Sequence, residues 1–327
     1  MSNRVELSII APLFNEQEMI SVLLRELILT CDKTGKNYEI VLVDDGSKDR
    51  TFELLNQAAA QNQKIKIVRL SRNFGHQAAF SAGIDASSGA MIITMDGDLQ
   101  HPPALIPEFL KVAESGFDIV IGERTANKQN SFFREFVGKL FYKLLTSITN
   151  LEFKNVSDFA LYDRKVVSIL KRLPERERYL RGLVQWVGFK KTYVPYQVAE
   201  RKFGTPKYTI KRLAGLVMSG ITSFSAFPLR LSFWLGSFIF IGSLFFGVYV
   251  VIDHIVNPNP LIAGGATLVV LTLFLGSVQL MVMGVVGEYL YKMFNEIKGR
   301  PTYIISETKN LDNSQLERTV YGIAPLR

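Results

Sequence analysis

The triplet Asp96-Gly97-Asp98 closes an apolar run, Met91–Met95. Residues i and i+2 of an extended strand face the same side. Two carboxylates on one side, with a glycine between them, allow close approach of a divalent cation and a diphosphate. Mg²⁺ or Mn²⁺ is held by one or two carboxylates together with phosphate oxygens of the substrate. The segment that follows, Leu99-Gln100-His101-Pro102-Pro103, is a turn that fixes the loop. A second acidic group, Asp44-Asp45-Gly46-Ser47, ends another apolar run, Glu39–Val43. His76, His101 and His254 are scattered along the chain, so no His/Cys ligand cluster is expected and zinc is disfavoured. The sequence has no G-x-G-x-x-G and no P-loop, which argues against dinucleotide oxidoreductases and P-loop kinases.

These residues need strands to carry them. Val5–Ala11, Glu39–Val43, Ile65–Leu70, Met91–Met95 and Asp118–Ile121 read as apolar strands. Between them, Glu18–Leu29, Thr51–Ala60, Gln77–Ala86 and Leu105–Glu114 have helical spacing. Strands alternating with helices predict an α/β domain, a mostly parallel sheet with helices on both faces. Ligands of such sheets bind beyond the carboxyl ends of the strands, where Asp44, Asp45, Asp96 and Asp98 fall. Cys31 is the lone cysteine, so it has no internal disulfide partner and reads as a small buried apolar residue in a reducing compartment. The apolar run Leu7–Phe14 is too short and too polar at its exit for a signal peptide.

Downstream the composition changes. Leu231–Ile252 and Leu261–Gly287 carry no charged residue. Each is long enough to cross a hydrocarbon core of about 30 Å at about 1.5 Å per residue. The connection Asp253–Pro260 is short, and the flanks are basic: Lys207, Lys211, Arg212 and Arg230 before, Lys292, Lys298 and Arg300 after. The positive-inside rule puts both flanks in the cytoplasm. The expected domains are a cytosolic catalytic domain over 1–207, an amphipathic interfacial helix over 208–228, two transmembrane helices within 229–290 (about 231–252 and 263–287), and a cytosolic tail over 291–327 that is polar and loosely ordered after Arg300. A second mixed segment, Phe132–Leu145, has the composition to touch lipid. The 327 residues are 48% hydrophobic with a net charge of +8, which suits a soluble domain with a few spans and anionic partners such as lipid or phosphorylated substrates. Nucleic acid is not expected as a partner.

The chain resembles the family 2 glycosyltransferases of GT-A (Rossmann-like) fold, in particular the polyprenyl-phosphate group that includes bactoprenol glucosyltransferases and dolichol-phosphate mannose synthases. The resemblance rests on Pro12-Leu13-Phe14-Asn15-Glu16, Val43-Asp44-Asp45-Gly46-Ser47-Lys48-Asp49, Leu70-Ser71-Arg72-Asn73-Phe74-Gly75, Met95-Asp96-Gly97-Asp98-Leu99-Gln100-His101-Pro102-Pro103 and Gly287-Glu288-Tyr289-Leu290. It runs to about residue 305. It implies a nucleotide pocket lined by Pro12, Phe14, Glu16, Asp44 and Asp96. It implies Mg²⁺ or Mn²⁺ and the diphosphate on Asp96, Asp98 and Gln100. It further implies Asp98, Asp158, Arg124 and Arg134 at the reacting centre, and Arg124, Arg134, Arg201 and Lys207 on phosphate or acceptor, with Gly204 in the same basic loop. The chain departs from the family pattern at Ala160, where arginine is usual, and at Pro206, where serine is usual.

The implied reaction is inverting transfer of a hexose, glucose or a relative, from a nucleotide-diphosphate sugar to polyprenyl (undecaprenyl) phosphate. The implied setting is the cytoplasmic face of the inner (plasma) membrane, with both termini cytoplasmic and a homo-oligomer, a tetramer, formed through the hairpin. A lipid monophosphate has a second pKa of about 6 and is mostly ionised at neutral pH, so Asp158 is expected to organise the site rather than take a proton. Two other readings stand beside this one. A processive polysaccharide synthase would carry Q-x-x-R-W, whereas Gln185-Trp186 has the wrong spacing. A non-catalytic membrane scaffold would not need the acidic set.

Overall fold

The computed structural model describes residues 4–125, 156–176, 178–197, 225, 227–256 and 264–312. They divide into two compact units, one holding the residues up to 197 together with those from Gly299 onward, the other holding 225–298. Arg134, Arg201, Gly204 and Lys207, the segment Phe132–Leu145 and nearly all of the expected interfacial helix lie outside the described residues.

The first unit is built on one sheet. Its strands are β1 (Leu7–Leu13), β2 (Tyr38–Asp44), β3 (Ile65–Leu70), β4 (Met91–Thr94), β5 (Ile119–Arg124), β6 (Val156–Asp163), β7 (Lys191–Tyr196) and β8 (Ile305–Lys309). The spatial order is β7-β5-β6-β4-β1-β2-β3-β8. β1 pairs in parallel with β2 and β4, β2 with β3, and β5 with β7, while β6 and β8 are antiparallel to their neighbours. The sheet is therefore mixed and mostly parallel. Every residue of β1 and β2 is buried, as expected for strands covered on both faces.

The helices of this unit are α1 (Ile20–Lys33), α2 (Thr51–Gln61), α3 (His76–Ala86), α4 (Ile106–Glu114), α5 (Arg164–Arg172) and α6 (Leu180–Trp186). Alternate strand positions serve the two faces. Leu7, Ile9, Ala11 and Leu13 pack with Leu23, Leu27 and Cys31 of α1 and with Ile106 and Phe109 of α4. Ile10 and Val43 face α3, where Gly83 allows contact that a side chain would block: a Cβ there would lie 2.3 Å from Ile10 Cγ2. Burying a leucine- or isoleucine-sized side chain contributes roughly 1.5–3 kcal/mol, so this double-sided core supplies the driving force that holds the loops at the strand ends.

The chain crosses from β3 back past β1 to β4, which makes the carboxyl ends of β1 and β4 a topological switch point. A crevice at that position is the expected ligand site of such a sheet.

Two expectations are corrected here. The strand before the acidic triplet ends at Thr94 rather than Met95, so Asp96 and Asp98 sit on a turn and strand alternation does not govern them. The tail was expected to be loosely ordered, yet β8 pairs with β3 and Tyr303 is buried with its hydroxyl donating to Asp85 Oδ2 at 2.7 Å. A polar composition hid the strand because β8 is an edge strand with mostly exposed or half-buried residues.

The second unit contains α7 (Phe227–Val256) and α8 (Gly264–Ile297). Both are long and apolar enough to cross a membrane, over Phe227–Tyr249 and Phe274–Ile297. They touch one another, and Tyr289 donates its hydroxyl to the Ser225 carbonyl at 2.6 Å.

Candidate active site

The loops after β1, β2 and β4 meet at the switch point. Pro12 is buried within β1, in register with Val43, and Phe14 and Glu16 follow it half-buried. Asn15 takes a left-handed conformation, φ 54°, and its side chain accepts from Lys48 N–H at 2.9 Å. Its own N–H donates to Ser47 Oγ, and Glu16 N–H donates to Thr51 Oγ1, each at 2.9 Å. Asp49 accepts from Thr51 N–H at 3.0 Å and Gln17 N–H at 3.2 Å, tying the start of α2 and the two loops together.

Asp44 is fully buried. Its Oδ1 accepts from Ser47 N–H at 3.1 Å, and its Oδ2 has no hydrogen-bond partner among the described residues. Asp45 accepts from Phe74 N–H at 2.7 Å and Gly75 N–H at 3.0 Å, which brings the Arg72–Gly75 loop against the β2 end. Burial raises the Asp45 carboxyl, and these two bonds do not fully offset it. Gly46 is required between the loops: its φ is +67°, and a Cβ there would lie 2.4 Å from the Arg72 carbonyl carbon.

At the end of β4, Asp96 N–H donates to His101 Nδ1 at 2.9 Å. With Nδ1 an acceptor, the neutral His101 ring carries its proton on Nε2. That nitrogen lies 3.5 Å from Asp96 Oδ2 and 3.3 Å from Arg124 Nη2. The ring is fully buried, stacks on Phe159 at 5.2 Å between centroids, and meets Tyr196 edge-on. Burial holds its pKa below the ordinary value. The histidine of the Gln-His-Pro-Pro turn therefore locks the acidic loop to the sheet. Arg124, the last residue of β5, donates to Tyr196 Oη at 3.1 Å. Asp98 Oδ1 accepts from Gln100 N–H at 3.1 Å, with Leu99 between them at φ 57°.

Asp158, on β6, is 7% exposed. Arg181 grips it with both arms, Nε to Oδ1 at 2.8 Å and Nη2 to Oδ2 at 2.7 Å. α6 is placed to offer this residue by Leu180 N–H, which donates to Gln77 Oε1 at 3.1 Å. Burial alone would raise the Asp158 pKa, but Arg181 and His76 outweigh it and hold the carboxyl far below the usual range. Ala160, where the family pattern has arginine, is buried in β6, and the guanidinium at Asp158 comes from α6.

His76, the first residue of α3, completes the cluster. Its Nε2 lies 3.1 Å from Asp96 Oδ1 and 3.6 Å from Asp158 Oδ2. Desolvation lowers its pKa, but the two carboxylates more than reverse this and raise it. The expectation of scattered histidines is thus corrected: His76 and His101 approach Asp96 from opposite sequence directions. Neither His76 nor Arg181 was singled out from the sequence. Their only signals there are the Gly75-His76 helix start and the Arg178–Arg181 segment, and neither spacing predicts a tertiary meeting.

A divalent cation fits this corner. Asp96 Oδ1 is buried and faces His76 Nε2 at 3.1 Å without well-aligned hydrogen-bond geometry, and ligand atoms of His76, Asp96 and Asp158 lie within 4.8 Å of one another. Carboxylate oxygens suit Mg²⁺ and Mn²⁺, and an imidazole adds preference for a transition ion. Both Asp158 oxygens are already engaged by Arg181, so Asp96 is the best available ligand of the three. Asp98 and Gln100 stand outside this group of three, on the same turn as Asp96.

Residues 8–170, which carry the acidic loops at the switch point, match glycosyl transferase family 2. Relatives extend the match to almost the whole chain. The uncharacterized glycosyltransferase YkcC of Bacillus subtilis (strain 168) is 38% identical over 97% of this chain and 98% of its own length. The SfII prophage-derived bactoprenol glucosyl transferase of Shigella flexneri is 37% identical over 93% of this chain and 98% of its own. Among solved structures, a mannosyltransferase from Pyrobaculum calidifontis, PcManGT in complex with GDP-Man and Mn²⁺, aligns at 18% identity and a TM-score of 0.44, covering 64% of this chain and 60% of that one. The chain belongs to glycosyl transferase family 2 and is a glycosyltransferase.

Proposed function

We propose that this glycosyltransferase moves a hexose from a nucleotide-diphosphate sugar to a polyprenyl phosphate, with inversion at the anomeric carbon, at the cytoplasmic face of the membrane. The observation that carries the reading is the Asp158–Arg181 clamp beside Asp96 at the β1/β4 switch point. A carboxylate held so firmly as an anion is a poor proton acceptor. It suits a nucleophile that arrives already charged, as a lipid phosphate does. The name of the Shigella relative, a bactoprenol glucosyl transferase, supports the same acceptor class, and the two apolar helices are suited to keep the chain at the lipid.

In this reading Pro12, Phe14, Glu16 and Asp44 form the nucleotide pocket. The hydrogen-bond-free Asp44 Oδ2 is the acceptor that a nucleobase N–H or a ribose hydroxyl would satisfy. Asp96 and Asp98, with Gln100, hold Mg²⁺ or Mn²⁺. Such an ion, when bound, supplies positive charge to the departing diphosphate. Asp158 and His76 orient the loop that carries Asp96. Arg124, with Arg134, Arg201 and Lys207, is assigned to phosphate oxygens, which a guanidinium recognises through a fork of donors.

Full-length protein in detergent, given a labelled nucleotide sugar and either undecaprenyl phosphate or undecaprenol, tests the acceptor. Label should enter the phosphate lipid alone and only with a divalent cation. Equal transfer to the alcohol would refute the charged-nucleophile reading.

A further inference from the structure

We propose that Arg69 is a positioning residue of the donor pocket, and that Glu307 of the C-terminal strand holds it off Asp44. The inference rests on the assignment of Asp44 to the nucleotide pocket. Arg69 lies near the end of β3 and lines up with Glu307 of β8 in the antiparallel register. Among the described residues its guanidinium meets Glu307, Phe52 and Asp44. Nη1 donates to Glu307 Oε1 at 2.7 Å. The plane lies over the Phe52 ring, 4.0 Å from its centroid. Nε faces Asp44 Oδ2 at 3.4 Å, close enough for charge attraction but without a hydrogen bond.

The arrangement is a tug on one cation by two anions of different exposure. Asp44 is fully buried, whereas Glu307 is half exposed. A buried carboxylate attracts a cation more strongly than an exposed one does, because the medium screens it less. Left alone, the guanidinium would close the gap to Asp44 and occupy Oδ2. The short bond to Glu307 and the stack on Phe52 keep it at a distance where it stabilises the buried charge yet leaves the oxygen open. β8 is itself well fixed. Ser71 N–H donates to the Ile304 carbonyl at 2.8 Å, and the Asn310 side chain donates to the Ala59 and Ile65 carbonyls at 2.8 and 2.9 Å. The segment that follows the second apolar helix in sequence thus completes the pocket for the nucleotide.

The test is binding of UDP and of GDP, each with Mg²⁺ present, to detergent-solubilised full-length protein by titration calorimetry. Glu307→Gln should weaken the tighter nucleotide about tenfold, the cost of displacing a charged hydrogen bond from Asp44. In an Arg69→Met background the same substitution should change affinity less than twofold, because interacting residues are non-additive. Ser306→Ala removes a bond from the same strand to the Arg69 carbonyl without touching the guanidinium. It should bind as wild type does, which keeps the test decisive if Arg69→Met does not fold. Wild-type affinity in Glu307→Gln overturns the inference, as does an equal loss in Ser306→Ala or in the Arg69→Met background. Failure of the wild type to bind either nucleotide would instead refute the donor-pocket assignment itself.

Discussion

Replacing Arg181 with methionine removes both donors from Asp158 and leaves a carboxylate that is 7% exposed and that, among the described residues, is balanced by His76 at 3.6 Å. Breaking a buried ion pair by deleting one partner costs about 3–5 kcal/mol. The Arg181 side chain is 34% exposed, so water can reach the vacated space and reduce the cost to about 2–3 kcal/mol. For a catalytic unit of this size that lowers the melting temperature by roughly 5–10 °C. The assay is thermal unfolding of the purified full chain, read by fluorescence, for Arg181→Met, Asp158→Asn and the double variant. Asp158→Asn removes the buried charge and so should restore much of the stability lost in Arg181→Met. The coupling between the two changes should exceed 1 kcal/mol, within the range for contacting pairs of roughly 0.5–3 kcal/mol. Both single variants should lose transfer activity, because neither holds the clamp. If Arg181→Met melts with the wild type, or if the double variant is no better than Arg181→Met, the clamp is not what organises the site.

Gly46→Ala should destabilise the protein by more than about 1 kcal/mol, since it combines positive φ with a Cβ 2.4 Å from backbone; unchanged urea unfolding would contradict that packing. Glu39 is buried, which raises its pKa, but hydrogen bonds from Lys66, Ser8 and Ser88 outweigh burial and hold it below the ordinary range. Its stabilisation is therefore complete above the unfolded value of about 4.3 and is lost as pH falls through the lower folded value. Lys66→Met should move the acid-unfolding midpoint upward, and an unmoved midpoint would refute the linkage. Asp98→Ala should abolish transfer while membrane retention, followed by fractionation, stays intact. Arg134→Ala should raise the KM for the lipid acceptor more than that for the donor, and equal changes would remove Arg134 from the acceptor site.

The strands and helices up to β5 were legible because each is a short apolar run or a clear helical repeat bounded by turn residues. Their observed bounds differ from the expected ones by only a few residues at most ends. The acidic set at the strand ends was legible for the same reason: a strand that leaves the core must end on something polar. What the sequence hid was tertiary. Arg181 lies 23 residues from Asp158, on a seven-residue helix whose position depends on Gln77, and no periodicity announces the contact. His76 reads as an ordinary helix-start residue until α3 is set over the switch point. β8 escaped because an edge strand needs few apolar residues, and the charges that make it look solvated include Glu307, the partner of Arg69.

The central claim is that this fold moves sugar onto a membrane lipid phosphate. Membranes containing the wild-type chain or Asp98→Ala, incubated with undecaprenyl phosphate and a panel of labelled UDP- and GDP-hexoses, test it most directly, with the lipid extract read by mass spectrometry. The account predicts a hexosyl-phosphoryl-undecaprenol from at least one donor in the wild type and none in the variant. A wild type that labels no lipid from any donor, or a variant that labels it equally well, would contradict the account.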